Sequence, residues 1–212
     1  MSNHSSKQVR GRLGFTVAEL LIVMAVIAVL VGVSIPIFFR QREKAANTVD
    51  IANAKEISRQ LEYYYMSNPD AVARLLAIES ESPGAMEIIV TPEGMYYSTH
   101  TNGGEGCATA ADQIVEADMI AIFGDYDHKS TDGRTSYNSS IRCQSASPWK
   151  QYAVVISCYN KTTGKPTAYP NIYYCAWPQA AYDGGYKWDN VISKNSYNAA
   201  FKAACGGDRI IE

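Results

Sequence analysis

A lone acid in an apolar run, five scattered cysteines, a short cluster of aspartates and three histidines are the residues whose types could carry chemistry in this chain. The acid is Glu19, at the fifth position of FTVAELLIVMAVIAVLVGVSIPIFF, residues 15–39. A carboxylate at the centre of a membrane span costs roughly 2.5–3.5 kcal/mol, and less near its end, so Glu19 needs a partner. The aspartates Asp125, Asp127 and Asp132 lie in DYDHKSTDG, residues 125–133, a weak calcium-loop candidate. Lys129 stands where an oxygen ligand is wanted and the bidentate glutamate is missing, which favours a solvated surface loop. His4, His100 and His128 are too dispersed for a metal triad, and no G-x-S-x-G or comparable nucleophile motif occurs. The Gly-rich TNGGEG, residues 101–106, has no G-K-[ST] and no strand-to-helix context, so it reads as a connection and not a phosphate loop. These residues predict no enzyme, no cofactor and no metal.

The elements that must position Glu19 start with the run itself. With 212 residues, a net charge of −2 and 47% hydrophobic residues, the chain suits one globular domain plus an accessory segment. An electrostatic nucleic-acid binder would be more basic. Only residues 15–39 approach the roughly 18 consecutive apolar residues that a membrane span requires. Lys7, Arg10 and Arg12 precede the run without an acid, predicting a cytoplasmic N terminus, although Arg40, Arg42 and Lys44 follow it and blunt the rule. A secretory signal would have an apolar core of roughly 7–15 residues and an A-x-A-like cleavage site, and neither fits. The cysteines, Cys107, Cys143, Cys158, Cys175 and Cys205, all fall in the second half without C-x-x-C spacing. Beyond a membrane-directed opening they predict disulfides in an oxidising compartment in preference to buried cytosolic thiols.

Leu13-Gly14-Phe15-Thr16-Val17-Ala18-Glu19, followed by a long apolar run containing Pro36, resembles the N terminus of type IV prepilins and related pseudopilins. The likeness covers about the first quarter of the chain. It implies that residues 1–14 are a leader, cut off between Gly14 and Phe15 by a membrane-embedded prepilin peptidase that methylates the new N terminus. It also implies a subunit held in the cytoplasmic membrane, handed to a pilus assembly platform and packed with identical subunits into a helical filament on a prokaryotic cell surface. The ligand of such a surface is unknown from sequence. Phe15, Glu19, Gly32 and Pro36 are then assembly residues. Cleavage frees a cationic amine on Phe15. In a bundle of staggered helices Glu19 reaches the Phe15 amine of a neighbour, and the buried pair marks register between subunits.

Pro36 offers no N–H to the carbonyl of Gly32, itself a poor helix former, so the backbone from about Ala28 to Pro36 is predicted to kink or loosen. A tolerated transmembrane kink fits the same residues, and the resemblance implies a segment that unwinds when the filament forms. Residues 40–66 carry Ile51, Ala54, Ile57, Leu61 and Tyr64 at spacings of three or four, an amphipathic continuation of the helix. From Phe15 to Met66 a helix would be ~78 Å long at 1.5 Å per residue, so about half projects from a ~30 Å hydrocarbon core.

Residues 67–212 form the head. Asn68-Pro69 starts a second helix through about Ile78. MEIIVT, residues 86–91, and MYYSTH, residues 95–100, read as strands about a tight turn. CATAADQIVEADMIAIF, residues 107–123, reads as helix, and QYAVVISCY, residues 151–159, and NIYYCAW, residues 171–177, as strands. A long helix, hydrophobic then amphipathic, packed on an antiparallel sheet is an α+β arrangement, which the type IV pilin resemblance also implies. Cys158 and Cys175, on the last two strands, are the preferred disulfide if pairing sets them opposite one another. A second bridge from Cys205 to Cys143 would close the C-terminal region as in many pilins. The 15 tyrosines, clustered at Tyr63–Tyr65 and Tyr173–Tyr174, read as half-buried packing sooner than as binding platforms. The expectation is a pilus subunit serving adhesion, motility or DNA uptake. The rivals are a pseudopilin of a type II secretion or competence machine and a signal-anchored surface receptor or enzyme.

Overall fold

The computed structural model describes residues 14–81, 86–99, 110–124, 126–129, 135–137, 140–160, 163, 165–177 and 196–209. Helix α1, Val17–Ser67, passes through Gly32 and Pro36 without interruption. The loosening expected between Ala28 and Pro36 therefore does not break it. Ser34 Oγ donates to the Leu30 carbonyl at 2.6 Å, an additional bond in the stretch where Pro36 can donate none.

The chain divides into two compact units, one ending at Arg42 and one beginning at Glu43. In the first, every described residue is exposed. This part of α1 is apolar on all sides, which is the pattern of a helix that meets lipid or other helices around its whole circumference. It is long and apolar enough to cross a membrane.

In the second unit α1 buries Asp50, Ala54, Ile57, Ser58, Leu61 and Tyr65, a stripe with helical spacing. The predicted stripe is thus turned slightly, with Ile51 and Tyr64 at its half-buried margins. Helix α2, Pro69–Glu81, follows at once. Asn68 precedes α2 at the capping position, its carbonyl accepting from the Ala71 and Val72 N–H groups at 3.0 and 3.3 Å, while its Nδ2 turns back and donates to the Tyr64 carbonyl at 2.7 Å, one of the orphan acceptors at the end of α1. Strands β1 (Met86–Val90) and β2 (Met95–Thr99) flank a turn closed by Thr91, whose N–H donates to the Gly94 carbonyl at 2.8 Å. Thr91 Oγ1 also accepts from the Glu93 and Gly94 N–H groups, each at 3.2 Å. Then come α3 (Ala110–Phe123), β3 (Tyr126–Lys129), β4 (Thr135–Tyr137), β5 (Gln151–Tyr159), β6 (Pro166–Trp177) and α4 (Ser196–Cys205).

The strands form one sheet of order β3-β4-β2-β1-β5-β6 with every neighbouring pair antiparallel. The architecture is α+β. Alternation sorts the residues of the central strands between two cores. Ile88, Val90, Tyr152, Val154, Ile156, Ile172 and Tyr174 join the stripe of α1, with Leu75 of α2 and Phe201 of α4. Ile89, Ala153, Val155, Tyr173 and Cys175 form a smaller cluster on the opposite face. Burial on both faces explains why β5 reads as an almost unbroken apolar run. Trp149 and Tyr152 hold α4 through Phe201, with ring centroids 4.9 and 5.3 Å away. The end of the chain is stitched to β6 by paired backbone bonds between Ile172 and Arg209, while Arg209 Nη1 contacts both oxygens of Glu62 on α1 at 2.6 and 2.8 Å.

Candidate processing and assembly segment

Gly14, Phe15 and Thr16 precede α1 in non-helical backbone, and all are exposed, Phe15 by 88%. What stops the helix from running further back is a set of three reciprocal hydrogen bonds between Thr16 and Glu19. The Thr16 N–H donates to Glu19 Oε2 at 2.8 Å, the Thr16 hydroxyl donates to the same oxygen at 2.9 Å, and the Glu19 N–H donates to Thr16 Oγ1 at 3.2 Å. Thr16 is the N-cap and Glu19 the third helical residue, so T-V-A-E is a capping box. Within one chain Glu19 therefore already has a partner. The sequence carried this signal: the [ST]-x-x-[DE] spacing before an apolar run names Thr16 as the missing residue.

Further along the exposed helix, a Cβ added at Gly32 would meet nothing within 4 Å. No contact with a described residue requires glycine there. Gly14 is equally open.

The cysteines differ from expectation. Cys175 lies opposite Ala153, not Cys158, and it faces the smaller cluster while Cys158 faces the larger one. Five residues along β5 is ~17 Å, far beyond the ~7 Å Cα separation a disulfide spans, so a Cys158–Cys175 bridge is ruled out. The reason is the hairpin. Strand β6 begins at Pro166, and the Asn160 N–H closes on the Lys165 carbonyl at 2.9 Å, so the connection is shorter than the loop up to Pro170 read from sequence. Strands ending at Tyr159 and starting at Asn171 would set those two residues opposite each other, whereas Asn171 faces Ser157, a shift of two residues that takes Cys175 further from Cys158. No disulfide joins the described cysteines to one another. Cys143 and Cys205 share the larger core, and Cys143 Sγ donates to Asp50 Oδ2 at 3.2 Å. Burial pushes the Cys205 thiol up to about 12, and burial together with the Asp50 carboxylate pushes Cys143 up as well. Cys107 lies outside the described residues.

Asp127 is in strand β3, so residues 125–133 are not one continuous loop as expected, and Asp125 and Asp132 lie outside the described residues. The same holds for residues 101–106 and for His4 and His100. Among the described residues no group of three or more potential ligands could hold a metal. Of the clustered tyrosines, Tyr65, Tyr173 and Tyr174 are buried, Tyr64 is half-buried and Tyr63 is 76% exposed.

A second arrangement, which periodicity did not disclose, fastens the head to its own stretch of α1. Residues 143–149 lie along Glu43, Asn47 and Asp50, one helical face. Four consecutive backbone N–H groups point at carboxylates: Gln144 to Asp50 Oδ1 at 2.8 Å, Ser145 to Asp50 Oδ2 at 3.1 Å, and Ala146 and Ser147 to Glu43 Oε1, both at 2.7 Å. Trp149 Nε1 donates to Asp50 Oδ2 at 2.9 Å and Ser145 Oγ to Asn47 Oδ1 at 2.7 Å. Asp50 is completely buried, and these donors replace the water it has lost. A third polar knot joins α1, α2 and α3, where the Asp118 carboxylate accepts from the Tyr64 hydroxyl and from Arg74. Burial and the Asp118 charge push the Tyr64 phenol up.

No family model matches this chain, and neither does any curated protein or solved structure.

Proposed function

We propose that this chain is a type IV pilin-like structural subunit, stored in the cytoplasmic membrane by residues 15–39 and then assembled with identical copies into a surface filament. One observation carries the reading most strongly. The capping box starts α1 immediately after Thr16, so the Gly14–Phe15 bond sits in exposed, non-helical backbone that a peptidase can engage. The exposed apolar helix supports it further, since such a surface calls for lipid before assembly and for other helices afterwards. Gly32, with open space around it, lets neighbouring backbones approach closely in a helical core. Prepilin peptidase, the assembly platform and identical subunits are the partners, and the head coats the fibre.

Mass spectrometry of the native N terminus tests the reading. A chain beginning at methylated Phe15 is expected, and electron microscopy of sheared fibres should find this subunit in them. A Cβ added at Gly14 meets nothing within 4 Å among the described residues, so loss of processing in Gly14→Leu would reflect the peptidase's fit to the site. A native chain that retains residues 1–14, or a Gly14→Leu chain still cut at Phe15, would overturn the proposal in favour of a signal-anchored protein.

A further inference from the structure

We propose that Arg40 and Arg42 form a contact site for the phosphate headgroups of anionic phospholipids, in the leaflet that α1 reaches last. The inference rests on the membrane-held subunit argued above. Residues 17–39 of the unbroken helix rise ~35 Å, slightly more than a hydrocarbon core of ~30 Å. A span beginning at Phe15 therefore delivers Arg40 and Arg42 to the headgroup layer, where long cationic side chains reach outward to phosphate.

Both arginines are exposed, and neither has an ion pair or hydrogen bond among the described residues. The only acids between residues 15 and 49 are already engaged. Glu19 is closed onto Thr16, and Glu43 accepts two backbone N–H groups from Ala146 and Ser147. Both guanidinium groups therefore keep their donors available to an outside acceptor, on a chain whose net charge is −2. Arginine's planar fork suits phosphate oxygens better than a lysine ammonium does.

Their spacing selects the partner. Residues two apart point to different sides of a helix, so a protein or nucleic acid lying on one face would meet only one of them. Lipid surrounds a helix and meets both.

The test reconstitutes the full chain in vesicles of three parts phosphatidylcholine to one part phosphatidylglycerol and measures motional restriction of spin-labelled forms of each lipid. Juxtamembrane cations contribute roughly fivefold each to anionic-lipid preference, so Arg40 and Arg42 together should contribute roughly twenty-five-fold to the preference of wild type for phosphatidylglycerol, and that preference should be lost in high salt. In R40Q/R42Q the preference should fall by about an order of magnitude or more, since Lys7, Arg10, Arg12 and Lys44 are common to both proteins and cancel in the comparison. R40K/R42K should keep most of it. An unchanged preference in R40Q/R42Q, with the protein still restricting labelled lipid, overturns the headgroup site and leaves the membrane reading intact. Failure of the wild-type chain to restrict either lipid overturns both.

Discussion

Glu19 stands in two accounts, and replacing it with glutamine separates them. The capping box needs an acceptor at the third helical position, which glutamine supplies as well as glutamate. The proposed pairing with the Phe15 amine of a neighbouring subunit needs a negative charge, which glutamine lacks. Loss of a cap costs about 0.5–2 kcal/mol and affects one helix end, where exposed backbone can still find other donors and acceptors. Loss of a buried ion pair leaves an unmatched cation at every subunit, about 3–5 kcal/mol per contact, or a hundredfold to several thousandfold in each association step. Glu19→Gln should therefore insert and be processed normally yet form few or no filaments, and Glu19→Ala should behave alike. Thr16→Ala makes the converse change: it removes the hydroxyl that donates to Glu19 at 2.9 Å and accepts from its N–H at 3.2 Å, but keeps the charge. Its filaments should persist at reduced yield. The assay is the ratio of sheared-fibre protein to processed protein in the membrane for each variant. Normal fibres from Glu19→Gln would refute the pairing and leave Glu19 as a helix cap. A depleted membrane pool in Glu19→Gln would place its role in insertion instead.

Other consequences follow from the head. Asp50→Ala strips the acceptor from the Ser145 N–H, the Trp149 indole and the Cys143 thiol, all buried, and should cost about 3–5 kcal/mol by urea unfolding followed by tryptophan fluorescence, with Asp50→Asn losing less because one carbonyl oxygen remains. Tyr65 buries a hydroxyl that has no hydrogen-bond partner among the described residues, so Tyr65→Phe should be neutral or raise the unfolding free energy by up to about 1 kcal/mol; a clear loss would mean the hydroxyl is bonded. Cys205 holds its proton to about 12 when folded, against about 8.5 in an unfolded chain. Between those values the unfolded state releases a proton that the folded state keeps, so stability falls as pH rises, by about 1.4 kcal/mol per unit for this thiol. Cys205→Ser should flatten that alkaline slope, and an identical slope in both proteins would contradict the buried-thiol assignment.

The parts of the fold written in simple periodicities were legible. Helical spacing from Ile51 to Tyr64 announced α1 beyond the apolar run, and the runs at 86–90, 95–99 and 151–159 became strands with nearly the expected bounds. Register was not legible, because it depends on where a strand starts. PTAYP, residues 166–170 just upstream of Asn171, contains two prolines, Pro166 and Pro170, that discourage a strand assignment, yet β6 is an edge strand of the described sheet, where proline is tolerated. That extension shortened the hairpin and set Asn171 opposite Ser157 in place of Tyr159, two residues further from a Cys158–Cys175 pairing. The loop at 143–149 was illegible for a different reason: four of its bonds to Asp50 and Glu43 use backbone N–H groups, which any residue but proline supplies, so CQSASPW does not spell them out.

Why the head should grip its helix through carboxylates, where apolar contact would be cheaper, has a physical answer in the same stripe. Ala54, Ile57, Leu61 and Tyr65 recur every three or four residues, so sliding α1 by one turn would replace each apolar side chain by another and change the buried area little. Hydrophobic burial alone fixes which face packs, but only weakly which turn. Asp50 removes that ambiguity. A slip of one turn would carry its carboxylate ~5.4 Å from four donors and leave both charge and donors dry, a loss that the apolar contacts could not offset. Glu43, one face and two turns earlier, repeats the constraint on Ala146 and Ser147. The proposed filament poses the same problem in its apolar core, where uniformly hydrophobic helices slide past one another with little penalty. A single acid at Glu19, matched to an amine that exists only after cleavage, would set axial position there by the means that Asp50 uses inside the head.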